Sequence, residues 1–201
     1  MENNQKVLLI NTHLTYAGWT EGTLNKSFIQ KAKDFFEVKG FEVLETKIED
    51  GYNAEEEVKK HLEADIIIFQ MPVNWFGAPW IYKKYVDEVF NSGLMSKSFL
   101  TGDGRTPEDP TKQYGSGGLL QGKKFMICAT WNAPAEAFDN PKQKLFEGKS
   151  TAAFFLSITS NYRFCSAETL PDYNCFDIYK DGDITNDLNN YPSHLEKVLN
   201  S

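Results

Sequence analysis

Ile66-Ile-Ile-Phe-Gln-Met-Pro-Val-Asn-Trp-Phe-Gly-Ala-Pro-Trp80 begins as a buried strand and ends as a helix. Ile66 to Phe69 is an unbroken apolar run, which suits a parallel strand covered on both faces; Pro72 cannot donate to a ladder, so the strand stops there. Pro79 stands where helices begin, and Tyr82, Tyr85, Val86 and Val89 follow at helical spacing. Between the two, Trp75, Phe76 and Trp80 crowd into a turn that a solvated loop seldom gives to large aromatics. Either these rings seal the sheet edge as core residues, or they wall a flat ligand, because open α/β sheets bind ligands at the carboxyl ends of their strands.

The flanking segments alternate strand and helix. Val7 to Ile10 reads as a first strand, and Leu24, Phe28, Ala32, Phe35 and Phe36 share one face of the helix after it. Phe41 to Ile48 alternates as a second strand, Asn53 caps a helix to Glu63, and Ile66 to Met71 is the third strand. Beyond the helix at Pro79 lies Ser92 to Gly122, dense in Gly and Pro and too long for an idle connection. Lys124 to Thr130 is the fourth strand, Thr151 to Phe164 a helix, Thr169 to Ile178 the expected fifth strand, and Pro192 to Leu199 a closing helix. This alternation predicts an α/β fold with a doubly wound, five-stranded parallel sheet and helices on both faces, in flavodoxin-like order.

The chain has 201 residues, 41% hydrophobic and 24% charged, without a composition shift that would mark a linker, so one domain over residues 1–201 is expected. A net charge of −7 with no basic patch interleaved with aromatics argues against nucleic acid as a partner. No apolar run is long enough for membrane insertion, and a cytoplasmic protein is expected. Cys128, Cys165 and Cys175 lack C-x-x-C spacing and read as core thiols. His13, His61 and His194 have no i, i+4 ligand partner, so no metal is expected.

Two further segments could bind a ligand. Trp19-Thr-Glu-Gly-Thr-Leu-Asn25 joins the first strand to its helix, with hydroxyls at Thr20 and Thr23 and a close-approach glycine at Gly22, where a helix N-terminus would favour a phosphate. The same residue types are also ordinary helix caps, and His13 reads as a solvated loop residue. Thr130-Trp-Asn-Ala-Pro134 repeats, at the end of strand four, the abrupt exit seen after strand three, and the two exits would form the lips of one pocket.

Gln70-Met-Pro-x-x-Trp-x-Gly-Ala-Pro-Trp80, followed by Lys83-Lys84-Tyr85 and Asp87, resembles the modulator of drug activity B family of flavin-dependent NAD(P)H:quinone oxidoreductases, within the flavodoxin-like quinone reductases. The similarity runs from Val7 to Val198 and includes Thr130-Trp-Asn-Ala-Pro-x-Glu-Ala-Phe138. The resemblance implies FAD, with its phosphates on Thr20, Gly22, Thr23, Leu24 and Asn25. It places the isoalloxazine between Pro72, Val73, Asn74, Trp75 and Phe76 on one side and Thr130, Trp131, Asn132 and Ala133 on the other. It also implies that Tyr114, in the long insertion, reaches the flavin across a homodimer interface and polarises the quinone oxygen. NAD(P)H and small quinones would be the substrates, exchanged in a ping-pong, two-electron cycle. The same fold would also serve a flavodoxin-type FMN electron carrier or a regulatory interaction subunit.

Overall fold

The computed structural model describes residues 5–180 and 182–200. The strands are β1 (Lys6–Asn11), β2 (Glu42–Lys47), β3 (Ile66–Pro72), β4 (Lys124–Thr130), β5 (Glu168–Thr169) and β6 (Tyr173–Cys175); the helices are α1 (Thr23–Val38), α2 (Ala54–Glu63), α3 (Trp80–Met95), α4 (Thr151–Phe164) and α5 (Ile184–Leu199). The sheet runs β2-β1-β3-β4-β5, with β6 also paired to β4, and every pairing is parallel. Pairing of Asn11 with Gln70 and of Pro72 with Thr130 aligns the strand exits at one carboxyl edge.

Burial on both faces explains the continuous apolar strands. Leu8, Ile10, Ile67, Phe69, Phe125 and Ile127 point into a core covered by α2, α3 and α4; Val7, Leu9, Ile66, Ile68 and Met126 point into a second core covered by α1 and α5. Each such buried aliphatic or aromatic side chain contributes about 1.5–3 kcal/mol, so the sheet's centre carries much of the fold's stability. Beneath α2 the buried Glu57 carboxylate accepts hydrogen bonds from Thr46 Oγ1, Lys60 Nζ and Tyr85 Oη. His61, fully buried, lies 2.8 Å from the Glu57 carbonyl and 3.0 Å from Tyr162 Oη, and burial lowers its imidazole pKa to about 4.

Three elements differ from the sequence expectation. The fifth strand is split in two, because Pro171 interrupts it; the Ile127 N–H there donates to the Asp172 carboxylate at 3.3 Å in place of a backbone carbonyl. Helix α5 starts at Ile184, capped by the Asp183 carboxylate on the Asn186 N–H, so Pro192 lies inside it and not at its start. Its buried Tyr191, Leu195 and Val198 offset the roughly 3 kcal/mol that an interior proline costs. Helix α3 continues through Ser92 to Met95, so the insertion begins at Ser96.

Candidate functional site

The strand exits at the carboxyl edge gather three loops. After β1, Thr12 Oγ1 and N–H both donate to the Gln70 carbonyl, and the His13 N–H donates to Asn11 Oδ1. The chain then doubles back through a Tyr16–Thr20 bridge to Gly22, which precedes α1 with φ 71°. A Cβ at Gly22 would stand 2.5 Å from His13 Nδ1, so the close approach requires glycine. His13 is therefore not a solvated loop residue: only 2% exposed, it forms the floor of the loop, with Nε2 3.2 Å from Thr20 Oγ1, and desolvation lowers its pKa. The N-cap of α1 is Gly22, which offers no side chain to the leading N–H groups, and Thr20 and Thr23 flank it in sequence. Leu24 packs partly into the α1/α5 core, and Asn25 is buried.

After β3, the Val73 N–H donates to the Thr130 carbonyl and ties this loop to the β4 exit. Asn74 and Gly77 then exchange backbone hydrogen bonds of 2.8 and 3.1 Å around Trp75 (φ 47°) and Phe76 (φ 69°), a tight turn with two left-handed central residues. Such turns favour Asn and Gly, and each large L-residue held there costs on the order of 1–3 kcal/mol. The Phe76 ring meets Phe146 edge-on at 5.9 Å, but Trp75 is 92% exposed. A strained turn that presents a large ring to solvent gains nothing for the apo fold.

After β4, Trp131 turns away from the edge. Its indole is buried among Phe138, Phe154, Phe155 and Phe176, Nε1 donates to Asn174 Oδ1 at 2.8 Å, and its backbone N–H and carbonyl pair with Cys175 and Ile178. Trp131, expected at a lip of the pocket, has its side chain in the core, where it fixes the loop from behind. Asn132 is exposed, and the carbonyl of half-buried Ala133 accepts from the Asp177 N–H.

Two buried oxygen atoms at this edge have no hydrogen-bond partner, Gln70 Oε1 and Thr130 Oγ1. Both residues belong to the α1/α5 face, as the alternation with Ile68 and Cys128 shows, and Gln70 Nε2 donates to Asn25 Oδ1 at 2.9 Å. An orphaned buried acceptor costs about 1–3 kcal/mol, so two of them on one face at the ends of neighbouring strands suit a bound polar group. Gln70 was quoted in the sequence motif without a role; nothing in its spacing signals that it loses one partner on folding.

Tyr114 lies elsewhere. Its ring packs on Phe164, the last residue of α4, at 5.2 Å, with the Arg105 guanidinium 5.3 Å above it. The Leu120 N–H donates to the Cys165 carbonyl, and Gly118 lies so close to Cys165 that a Cβ would stand 2.2 Å from its carbonyl carbon. These contacts anchor the insertion at the start of β4, the length of a strand, roughly 20 Å at ~3.3 Å per residue, from Thr130. Within one chain Tyr114 does not join the other site residues. A concavity of about 850 Å³ lies between α2 and α3 beside Val58, Leu62 and Met95, and none of Gln70–Phe76 or Thr130–Ala133 lines it.

The strand order and the three loops gathered at one carboxyl edge define a doubly wound, flavodoxin-like protein. The chain belongs to the flavodoxin-like fold family, whose pattern matches residues 5–198, and within it to the modulator of drug activity B family. It is 41% identical over 182 residues to NADPH:quinone oxidoreductase MdaB of Haemophilus influenzae, covering 90% of this chain and 93% of that protein. A putative quinone reductase from Klebsiella pneumoniae superposes with a TM-score of 0.76 at 21% identity, over 96% of this chain and 85% of that one. General stress protein 14 from Treponema denticola, solved with FMN, does so with a TM-score of 0.64 at 16% identity, over 98% of each chain. These two structures are alike in fold.

Proposed function

We propose that this chain is an NAD(P)H:quinone oxidoreductase that binds FAD at the carboxyl edge of its sheet and works in the cytoplasm as a homodimer. The observation that supports this most directly is the pair of unpartnered buried oxygens, Gln70 Oε1 and Thr130 Oγ1, between the uncapped start of α1 and the strained Trp75-Phe76 turn. When bound, the flavin supplies two-electron hydride chemistry, drawn from NAD(P)H and delivered to a quinone in two half-reactions that share one pocket. The Haemophilus relative is named for the same pair of substrates.

The protein's own residues bind and orient. Thr20, Gly22, Thr23, Leu24 and Asn25 present hydroxyls and helix N–H groups to the phosphates. Pro72, Val73, Asn74 and Phe76 meet the polar edge of the ring system, Trp75 lies against its flank and excludes water, and Thr130, Asn132 and Ala133 close the other lip. Tyr114 belongs to the neighbouring protomer's site, where its hydroxyl donates to the quinone oxygen. Its packing on Phe164, at the end of α4, supports this reading.

Quinone reduction by NADPH, measured with protein stripped of flavin and then reloaded with FAD or FMN, tests the reading. Turnover should require the flavin, and Tyr114→Phe should lower it several-fold with flavin retention unchanged. Turnover in stripped protein, or none in reloaded protein, would refute the proposal.

A further inference from the structure

The insertion holds Tyr114 from two sides of its own sequence. The ring packs on Phe164 at 5.2 Å, and the Arg105 guanidinium stands over it, 5.3 Å from the centroid, yet Tyr114 remains 66% exposed. Asp103 organises both partners. Its carboxylate accepts from the Arg105 backbone N–H at 2.9 Å, and Arg105 Nε and Nη2 converge on Oδ2 at 3.0 and 2.5 Å. Its backbone carbonyl accepts from the Gly115 N–H at 2.8 Å and the Ser116 N–H at 3.2 Å, which fixes the chain just after Tyr114. The two runs approach too closely for side chains between them: a Cβ on Gly104 would lie 2.1 Å from Ser116 Oγ, and one on Gly117 2.3 Å from the Gly102 carbonyl oxygen. Arg105 and Tyr114 therefore keep a set distance.

Stability alone does not account for this arrangement. The Arg105 and Asp103 side chains are half and nearly one-third exposed, and an ion pair so open to water contributes little. Arg105 is also one of two arginines among the 21 basic residues of the chain; the other, Arg163, donates to Thr169 Oγ1. A guanidinium differs from an ammonium by its plane, which lets it grip a carboxylate and sit over an aromatic ring at once. A cation over a phenol ring is attracted to the π-electrons and draws charge from the hydroxyl, so the O–H becomes a stronger donor. That gain counts most when the oxygen it meets turns negative, as a quinone oxygen does on reduction, so it acts on turnover more than on substrate binding.

We propose that Arg105, aimed by Asp103, is a positioning residue for quinone reduction: it fixes the Tyr114 ring and strengthens its hydroxyl as a donor to the quinone oxygen. The inference rests on the role given to Tyr114 above, and Arg105 acts only through that ring.

Single-turnover absorbance of FAD-loaded protein without oxygen separates the two half-reactions, bleaching by NADPH and return with saturating p-benzoquinone. The comparison takes wild type, Arg105→Gln, Arg105→Lys, Tyr114→Phe and the double variant of Arg105→Gln with Tyr114→Phe. An exposed cation–π contact sets the scale, about two- to fivefold in rate. Arg105→Gln should slow the return by that factor and leave bleaching and flavin retention unchanged. Arg105→Lys should recover part of the loss, because it keeps a cation at the ring. Once Tyr114→Phe has removed the hydroxyl, Arg105→Gln should slow the return no further. Mere support of the insertion would instead give the same loss in both backgrounds. That result, a wild-type return in Arg105→Gln, or no recovery in Arg105→Lys overturns the inference while the reading of Tyr114 stands. A wild-type return in Tyr114→Phe overturns both.

Discussion

Trp75→Asn separates what the turn after β3 costs from what it does. Trp75 holds φ 47° and is 92% exposed, so its removal forfeits almost no burial in the apo-protein. A large L-residue in the left-handed region costs about 1–2 kcal/mol, and Asn tolerates that region better, so the exchange should recover roughly 0.5–1 kcal/mol. For a chain of 201 residues, that gain should raise the melting temperature of stripped protein by about 1–4 °C. Flavin retention should move the other way: loss of an aromatic contact of about 0.5–1.5 kcal/mol weakens affinity about two- to tenfold. The assay is thermal denaturation of stripped wild type and variant by circular dichroism, with parallel flavin titrations. A lower melting temperature together with unchanged flavin affinity would mean that Trp75 serves the fold, and the reasoning from strain to function would fail.

Gly22→Ala adds a Cβ 2.5 Å from the His13 ring at φ 71°, and should cost at least 1 kcal/mol or so together with most flavin retention; pairing it with His13→Ala should restore part of both, whereas a wild-type melting curve for the single variant would contradict the close approach. His61 titrates at about 4 in the fold against about 6.5 unfolded, so the unfolded chain takes up the proton first and stability falls by about 3 kcal/mol as pH drops from 6.5 to 4. Urea unfolding at several pH values should show a flatter dependence across that window in His61→Gln, and an unchanged slope would count against it. Burial pushes the Asp172 carboxyl up to about 6, so the folded state holds that proton more tightly and this group's contribution to stability falls as pH rises from about 4 to 6. Asp172→Asn keeps an acceptor for the Ile127 N–H and should stabilise the protein by about 1–3 kcal/mol at pH 7, measured by denaturant midpoint; a destabilised variant would show that the charge itself is needed.

The sheet was legible where sequence pattern and burial coincide. Ile66 to Phe69 faces two cores, so its unbroken apolar run had no half-exposed alternative, and Pro72 marked the strand end on which the third loop is built. The fifth strand and α5 were misjudged because tertiary contacts overrode local signals: the Asp172 carboxylate stands in for a backbone partner across the Pro171 break, and packing of Tyr191 and Leu195 carries α5 past Pro192. At the site, the Thr20–Asn25 and Pro72–Phe76 loops fall at the carboxyl edge as the strand exits predicted. The burial of His13 depends on Gly22 folding back over it, and the inward turn of Trp131 on Asn174, a residue in β6. Both are non-local facts that spacing does not encode. Tyr114 could be singled out in the sequence, but its distance from its own cleft emerges only from the end of α4 on which the insertion is anchored.

The central claim is tested most directly by following the visible spectrum of FAD-loaded protein without oxygen while NADPH and then a small quinone are added. The account predicts that flavin absorbance bleaches with NADPH and returns with the quinone, each step in stoichiometric amount. Flavin that binds but never bleaches would contradict oxidoreductase action and point to a carrier or a regulatory subunit, and failure of FAD and FMN to bind would contradict the site itself.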